Sequence, residues 1–342
     1  MNKICYINSA SSISSQNTFK NKNFFKEIVV SNEKTTPALE PNYSEIISKI
    51  SIRRMSKITK MGIATAQSAL KKANIIMPDA IITGTGMGCL ENSEKFLKSI
   101  IENKEEFLSP TAFIQSTHNT VGAQIALNLK CNNYNMTFVH GSISFELALI
   151  DSQLLISENQ ANNILVGGID ELGKKIVDDT LKLENHYKNG IKAPLSEGSH
   201  FFIISSIKTS NSLAILKGIE IYHKIFENEI LNKINLFLKK FNISEIDVII
   251  LGFNGDVWDK YYKILTDNLF KNTPQVQYKN ISGEFSTSSS FGLWLGLELI
   301  KKQNIPKEVY LNNIKYNKIN TVLLVNQFKG TQFSFILIES AL

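Results

Sequence analysis

Residues 135–151 constrain the fold more than any other stretch, because one kind of local structure gives way to another within them. Residues 137–139 are β-branched or aromatic, which favours a strand. Gly141 and Ser142 interrupt this run, and the apolar residues that follow indicate a buried helix. The sequence therefore predicts a strand, a tight elbow and a buried helix. A side chain at such an elbow lies at a helix N-terminus, where free N–H groups favour developing negative charge, as a nucleophile requires.

Strand-like and helix-like segments alternate along most of the 342 residues. This alternation favours an α/β fold with a largely parallel sheet covered by helices. The polar residues 208–212 separate two such series, so we expect an N-terminal unit of residues 1–208 and a C-terminal unit of residues 209–342. Residues 9–41 are rich in Ser, Asn and Lys, which predicts irregular surface structure. The segment around Lys279 is expected to form a loop.

Composition disfavours several classes of protein. With 43% hydrophobic and 20% charged residues, the chain resembles an ordinary soluble protein. It contains no run of about 20 apolar residues and no long apolar N-terminal segment, so we expect a cytoplasmic protein without a membrane span. The net charge of +6 is spread over scattered lysines, which disfavours nucleic-acid binding. A mildly basic surface still suits an acidic protein partner.

No cofactor or metal is predicted from the motifs. Cys5, Cys89 and Cys131 are widely spaced and have no CxxC pattern, which supports neither a disulfide framework nor a zinc site. Gly84, Gly86 and Gly88 follow a predicted strand and superficially suggest a nucleotide-binding loop. Their spacing lacks the third glycine of the dinucleotide motif, and no P-loop lysine follows. We therefore expect a close-packed turn at these glycines.

Several motifs beyond the elbow carry a family resemblance. They are an asparagine-containing loop and helix at residues 110–129, the glycine-rich IITGTGMG at 81–88, VGGIDE at 166–171, LSEGS at 195–199 and KNISGE at 279–284. Together with the elbow, this pattern resembles the β-ketoacyl synthases of the thiolase superfamily. The resemblance implies a thiolase-like fold, with two stacked βαβ-type halves in a five-layered αβαβα arrangement.

The resemblance also shows which reactive residues are replaced. In this family an elbow cysteine forms an acyl thioester, and two histidines donate hydrogen bonds to the thioester oxygen. The cysteine position falls on Ser142 or, one residue earlier, on Gly141. The first histidine position is assigned to Asn254 and the second to Glu284, while Lys279 matches the family lysine. A carboxylate at Glu284 would oppose negative charge on the thioester oxygen. Lys279 and Glu284 are five residues apart across the expected loop and carry opposite charges, so we expect a structural ion pair between them.

These replacements are typical of chain-length factors, which are ketosynthase-like subunits without the active cysteine. The resemblance implies a catalytically silent subunit that pairs with an active ketosynthase and an acyl carrier protein in fatty-acid, aryl polyene or polyketide elongation. A heterodimer is favoured, a homodimer stays open, and the strand at residues 136–140 is expected at the interface. Phe145, His118 and His140 are expected to line the substrate tunnel.

The alternative is an active acyltransferase or decarboxylating enzyme that uses Ser142 with His118. Ser142 is a possible nucleophile, and His140 lies two residues before it. Two residues on one strand face stand several ångströms apart, and the G-x-S-x-G elbow of hydrolases is absent, which disfavours a Ser-His dyad. His118 is interpreted first as a structural residue of the loop before a helix.

Overall fold

The computed structural model describes residues 3–53, 55–186 and 190–342. Its strands are β1 (Tyr6–Ile13), β2 (Thr35–Thr36), β3 (Ala80–Gly84), β4 (Tyr134–Phe138), β5 (Asn163–Asp170), β6 (Leu195–Ser196), β7 (Gly198–Ser205), β8 (Ala214–Tyr222), β9 (Val248–Leu251), β10 (Gln275–Gln277), β11 (Thr321–Phe328) and β12 (Gln332–Ser340). Its α-helices are α1 (Lys49–Ile52), α2 (Lys57–Lys72), α3 (Leu90–Glu102), α4 (Pro110–Ser116), α5 (Thr120–Leu129), α6 (Ser144–Ser157), α7 (Lys174–His186), α8 (Ile230–Lys240), α9 (Lys260–Asp267), α10 (Lys279–Ser282) and α11 (Ser289–Lys302).

Ten of these strands form one mixed sheet, in the order β10-β9-β11-β12-β8-β1-β7-β5-β3-β4. The sheet consists of two five-stranded series with the same connectivity. In the N-terminal series, β3 is parallel to β4 and β5, and β7 runs antiparallel between β5 and β1. In the C-terminal series, β9 is parallel to β10 and β11, and β12 runs antiparallel between β11 and β8. Only two residue pairs, Tyr6 with Ile215 and Ile7 with Ala214, join the series through β1 and β8.

Three hydrophobic cores separate the chain into five layers. Helices α2 and α5 cover one face of the N-terminal series, and α8 and α9 cover one face of the C-terminal series. Helices α6 and α11 lie in the third core, which contains residues from both series. Alternation along each strand produces this layering, since successive side chains point to opposite faces: Ile164 and Val166 enter the central core, and Leu165 enters the outer one. The αβαβα thiolase-like architecture is thereby confirmed.

Gly84, at the end of β3, sets the position of α6. A Cβ atom on this residue would lie 2.5 Å from the backbone oxygen of Ser144 and 2.6 Å from the backbone nitrogen of Phe145. Only glycine allows the start of α6 to approach the strand this closely. The glycine-rich segment thus packs against the elbow, as the predicted close-packed turn requires.

Two local predictions were wrong. Ser9 to Ile13 continue β1 and are buried, although irregular surface was expected for residues 9–41. Burial is possible because the serine hydroxyls find partners; Ser9 Oγ, for example, donates to Ala69 O at 2.7 Å. The expected loop around Lys279 contains the short helix α10.

No described helix is long and apolar enough to cross a membrane. The division at residue 208 stays a prediction.

Candidate functional site

The predicted elbow connects β4 to α6. Gly141 has a φ of +59°, and residues Gly141–Ile143 form a 3-10 turn that leads directly into α6. The turn is held by Ser144, whose hydroxyl accepts from His140 N and donates to Gly141 O, both at 2.8 Å. The positive φ favours glycine, so the apex of the elbow carries no side chain.

Ser142, the next residue, is bound by Gln332 from the start of β12. Its backbone N–H donates to Gln332 Oε1 at 3.1 Å and its hydroxyl donates to the same oxygen at 2.6 Å. Gln332 Nε2 in turn donates to His140 O at 3.3 Å. An amide carbonyl is a hydrogen-bond acceptor but not a general base at neutral pH, so this contact does not activate the Ser142 hydroxyl as a nucleophile.

The structure brings together the three other predicted positions, Asn254, Lys279 and Glu284. Lys279 Nζ lies 3.1 and 3.0 Å from the two carboxylate oxygens of Glu284. Asn254 Nδ2 donates to Glu284 Oε2 at 2.9 Å. All three residues are buried, with exposed fractions of 3%, 1% and 6% respectively. The predicted Lys279–Glu284 ion pair is confirmed.

The backbone around this network is also fixed. Glu284 N donates to Pro194 O at 2.7 Å, and its carbonyl accepts from Ser196 N at 3.0 Å. Asp259 accepts from the backbone N–H groups of Asn254 and Gly255 at 3.2 and 2.7 Å. Burial raises the pKa of Asp259 to about 6, although these two hydrogen bonds act to lower it. These hydrogen bonds fix the backbone at Asn254 and Glu284, which keeps the Asn254 amide against the Glu284 carboxylate.

A cavity of about 390 Å³ adjoins the network. Its lining includes Lys192, Asn254, Asp259 and Asn280, and it is open to solvent on one side. Among the described residues, no group of three or more His, Cys, Asp or Glu side chains is arranged to hold a metal ion. Of these residues, Asn254 and Asp259 are hydrogen-bonded to each other, and Asn280 Nδ2 donates to Glu308 O at 2.7 Å.

Two residues beside the elbow, Glu146 and Gln332, were not predicted from any sequence pattern. Glu146 is fully buried on α6; its Oε1 accepts from Ser334 Oγ at 2.7 Å, and its Oε2 has no described hydrogen-bond partner. Burial raises the pKa of Glu146 above its usual range. Both residues make contacts across about 190 positions in sequence, which no local pattern predicts.

The three residues expected to line a tunnel lie in different environments. Phe145 is fully buried, and its ring centre lies 5.6 Å from that of Phe202. His118 and His140 are exposed on this chain. His118 packs against Gly88, because a Cβ on that glycine would lie 2.6 Å from His118 Cα. No hydrogen bond between described residues links His118 or His140 side chains to Ser142.

Glu171, at the end of the strand that precedes α7, provides a test of pH-dependent stability. Its Oε1 accepts from Glu91 N at 3.0 Å, its Oε2 has no described partner, and burial raises its pKa from 4.5 to about 8. Between these pH values the unfolded chain releases a proton that the folded chain retains, so this group makes stability fall as pH rises. We therefore compare the free energy of unfolding of Glu171→Gln with that of the unaltered protein. The difference should favour the variant by roughly 2–4 kcal/mol more at pH 8 than at pH 5.

Urea unfolding at both pH values measures this difference. The same substitution at the exposed Glu102 on α3 serves as the control and should show no comparable pH-dependent gain. An equal effect of Glu171→Gln at pH 5 and pH 8 would contradict the assignment of a protonated, buried carboxyl group.

Comparisons with known proteins show which family model and which folds this chain resembles. Residues 29–182 match the family model described as the β-ketoacyl synthase N-terminal domain. The chain superposes on the ishigamide ketosynthase/chain length factor with a TM-score of 0.80 at 15% identity, covering 99% of this chain and 100% of that one. No curated protein matches it significantly in sequence.

Two further solved structures are complexes. One is a type II polyketide synthase acyl-carrier protein in complex with its ketosynthase, with a TM-score of 0.80, 15% identity and coverage of 99% of both chains. The other is a ketosynthase in complex with its chain length factor from Xenorhabdus doucetiae, with a TM-score of 0.76, 15% identity and coverage of 99% of this chain and 98% of that one. Because the identities are only 15%, these likenesses show the fold and nothing further.

Proposed function

We propose that this chain, which belongs to the β-ketoacyl synthase family and has a thiolase-like fold, is a catalytically silent subunit of the chain-length-factor type. It would pair with an active ketosynthase during elongation of fatty-acid, aryl polyene or polyketide chains. The observation that carries the proposal is the buried network of Asn254, Lys279 and Glu284. In it, Asn254 and Glu284 stand where the family resemblance expects the two condensing histidines.

The network lacks the free hydrogen-bond donors that condensing chemistry requires. Condensation builds negative charge on a thioester oxygen, and catalysis requires hydrogen-bond donors aimed at that oxygen. Here Glu284 supplies a carboxylate, and the donors of Asn254 and Lys279 are bound to it. The Lys279 ammonium group balances this carboxylate, so the network offers a thioester oxygen neither a free donor nor a net positive charge.

The elbow supports the same proposal. Gly141 provides no nucleophile, and the hydroxyl of Ser142 donates to an amide carbonyl instead of a base. The acyltransferase alternative needs His118 to act on Ser142, yet the two side chains are not hydrogen-bonded to each other. His118 is exposed, and it packs against Gly88.

A partner is supported by the edge of the sheet and by the comparisons. Among the described strands, β4 is at the end of the sheet and pairs only with β3. Tyr134, Met136 and Val139, in and just after β4, are 37–41% exposed. A ketosynthase bound to its chain length factor and one bound to an acyl-carrier protein are among the similar structures. The net charge of +6 suits an acidic carrier protein, and such a role fits a cytoplasmic location.

Catalytic silence predicts that the purified chain forms no covalent acyl adduct with acyl and malonyl carrier protein and condenses nothing. Intact-mass spectrometry and product analysis measure both outcomes. A mass shift equal to an acyl group, absent from the Ser142→Ala variant, would overturn the proposal. Release of carbon dioxide from malonyl carrier protein, lost in His118→Ala, would instead favour the acyltransferase or decarboxylase alternative.

A further inference from the structure

Gln332 reaches the elbow from the turn between β11 and β12. It is the first residue of β12 and pairs with Phe328 across a tight turn that contains Lys329 and Gly330, both with positive φ. The turn therefore fixes the backbone from which the Gln332 side chain extends. This places its amide group against the first residues of the 3-10 turn that begins at Gly141.

Both ends of the Gln332 amide are bonded to the elbow. Its oxygen accepts two hydrogen bonds from Ser142, one from the backbone N–H and one from the hydroxyl. Its nitrogen donates to the carbonyl of His140. The Ser142 N–H is one of the free donors that precede a helix, the kind of donor that otherwise stabilises a bound carbonyl oxygen or anion.

The direction of a side chain at Gly141 leads to the same amide. A Cβ atom on Gly141 would meet only Gln332 within 4 Å, with Oε1 at 3.4 Å and Nε2 at 3.9 Å. The amide thus fills the space in front of both possible nucleophile positions, Gly141 and Ser142. An amide carbonyl accepts hydrogen bonds much as an acyl carbonyl does, so its occupation of this donor excludes a substrate carbonyl from it.

We propose that Gln332 is a built-in occupant of the elbow that closes it to acyl thioesters. The inference deepens the proposed function, because it gives catalytic silence a second cause besides the missing cysteine. Restoring a thiol at the elbow is then insufficient for reaction, since the thiol remains behind the Gln332 amide. Removal of the amide side chain opens the elbow to small electrophiles and thioesters.

The test uses the Ser142→Cys variant as a reporter of access. Its rate of alkylation by iodoacetamide is compared with that of the Ser142→Cys/Gln332→Ala variant by peptide mapping, which separates position 142 from the three buried native cysteines. We expect the double variant to react about tenfold faster, because hydrogen bonds and contact with the amide no longer restrain the thiol. A small acyl thioester should likewise acylate position 142 faster in the double variant than in the Ser142→Cys variant.

Two further variants keep the test decisive. Thr331→Ala, an exposed neighbour of Gln332 on the same turn, should leave the alkylation rate of Ser142→Cys unchanged. Gln332→Asn, added to Ser142→Cys, retracts the amide by one methylene and should give an intermediate rate. This variant serves as the open form if the one with Gln332→Ala does not fold. A ratio below about threefold between open and closed variants overturns the proposal, and a larger one supports it.

The outcome is separable from that of the proposed function. Equal alkylation rates of the Ser142→Cys and Ser142→Cys/Gln332→Ala variants would remove Gln332 as a cause. If the unaltered chain also forms no acyl adduct, catalytic silence stays intact. Conversely, failure of the chain to pair with a ketosynthase would remove the chain-length-factor role and leave the occupied elbow unaffected. An acyl adduct on Ser142 of the unaltered chain would overturn both.

Discussion

Replacement of Lys279 by methionine is expected to lower the free energy of unfolding by about 3–5 kcal/mol. Lys279 and Glu284 are almost completely buried, and the ammonium group contacts both carboxylate oxygens. Removal of the lysine leaves a buried carboxylate whose remaining described side-chain partner is Asn254. The large effect arises from this uncompensated charge, because the attraction within an intact buried pair is largely offset by its desolvation. Urea unfolding of the purified variant and the unaltered chain at pH 7 measures this loss of stability.

A double variant distinguishes this explanation from a simple loss of packing. Lys279→Met combined with Glu284→Gln removes both charges and keeps an amide oxygen for Asn254, so it should recover most of the lost stability. Lys301→Met, an exposed lysine on α11, should change stability by no more than about 0.5 kcal/mol. If Lys279→Met costs less than about 1 kcal/mol, or if the double variant is no more stable than the single one, the buried-charge account is wrong.

The elbow and its surroundings could be predicted from sequence because their signals are local. A β-branched run, a glycine and a run of apolar residues follow one another between residues 137 and 150, and the structure has β4, a 3-10 turn and α6 there. The central strands were equally clear, since their residues are apolar on both faces. Where polar residues are buried, as in the serine-rich part of β1, composition pointed to the surface and the prediction failed.

The network of Asn254, Lys279 and Glu284 could be predicted only through the family resemblance. Asn254 and Glu284 are 30 residues apart, and their contact depends on how β9 and the segment after α10 meet at one end of the sheet. Hydrophobic periodicity assigns each segment to a strand or helix but does not fix which strand ends are neighbours. The Lys279–Glu284 pair is local, with a spacing of five residues, and was therefore accessible to direct reasoning.

Gln332 and Glu146 lay beyond sequence reasoning for a physical reason. Gln332 begins an ordinary strand, and Glu146 appears on a helix where a charged residue normally marks the solvent face. Their roles follow from the close approach of the two strand series around α6, which brings β12 against the elbow. A fully buried carboxyl group with a raised pKa and an amide that accepts two hydrogen bonds are features of tertiary packing, so a single sequence carries no pattern for them.

The free edge of β4 leads to the second large expected effect, which is loss of subunit association. One side of β4 pairs with β3, and the other side belongs to no described strand. The opposite edge of the sheet differs, because Val276 of β10 is bridged by Tyr310. Natural proteins seldom leave an apolar strand edge uncovered. We therefore expect β4 to pair with a second subunit, most readily an active ketosynthase.

Met136, in the middle of β4 and 41% exposed, is the residue to change. Met136→Lys places a charge at the centre of the expected interface, and such central substitutions cost about 2–4 kcal/mol, or about 30- to 1,000-fold in affinity. The experiment co-expresses the chain with a cysteine-bearing ketosynthase encoded beside it and measures association by size-exclusion chromatography and native mass spectrometry. The variant should separate from its partner while keeping its own folded state, because the position is already partly exposed.

Leu236→Lys is the matched control, since Leu236 is an apolar residue on α8 that is 54% exposed and lies in the outer helical layer of the C-terminal series. It should leave association unchanged. The chain-length-factor proposal further requires that the ketosynthase lose condensing activity or produce altered chain lengths without this chain. If the two proteins migrate separately when unaltered, and the ketosynthase condenses equally well alone, then β4 has another occupant and the silent subunit has another role.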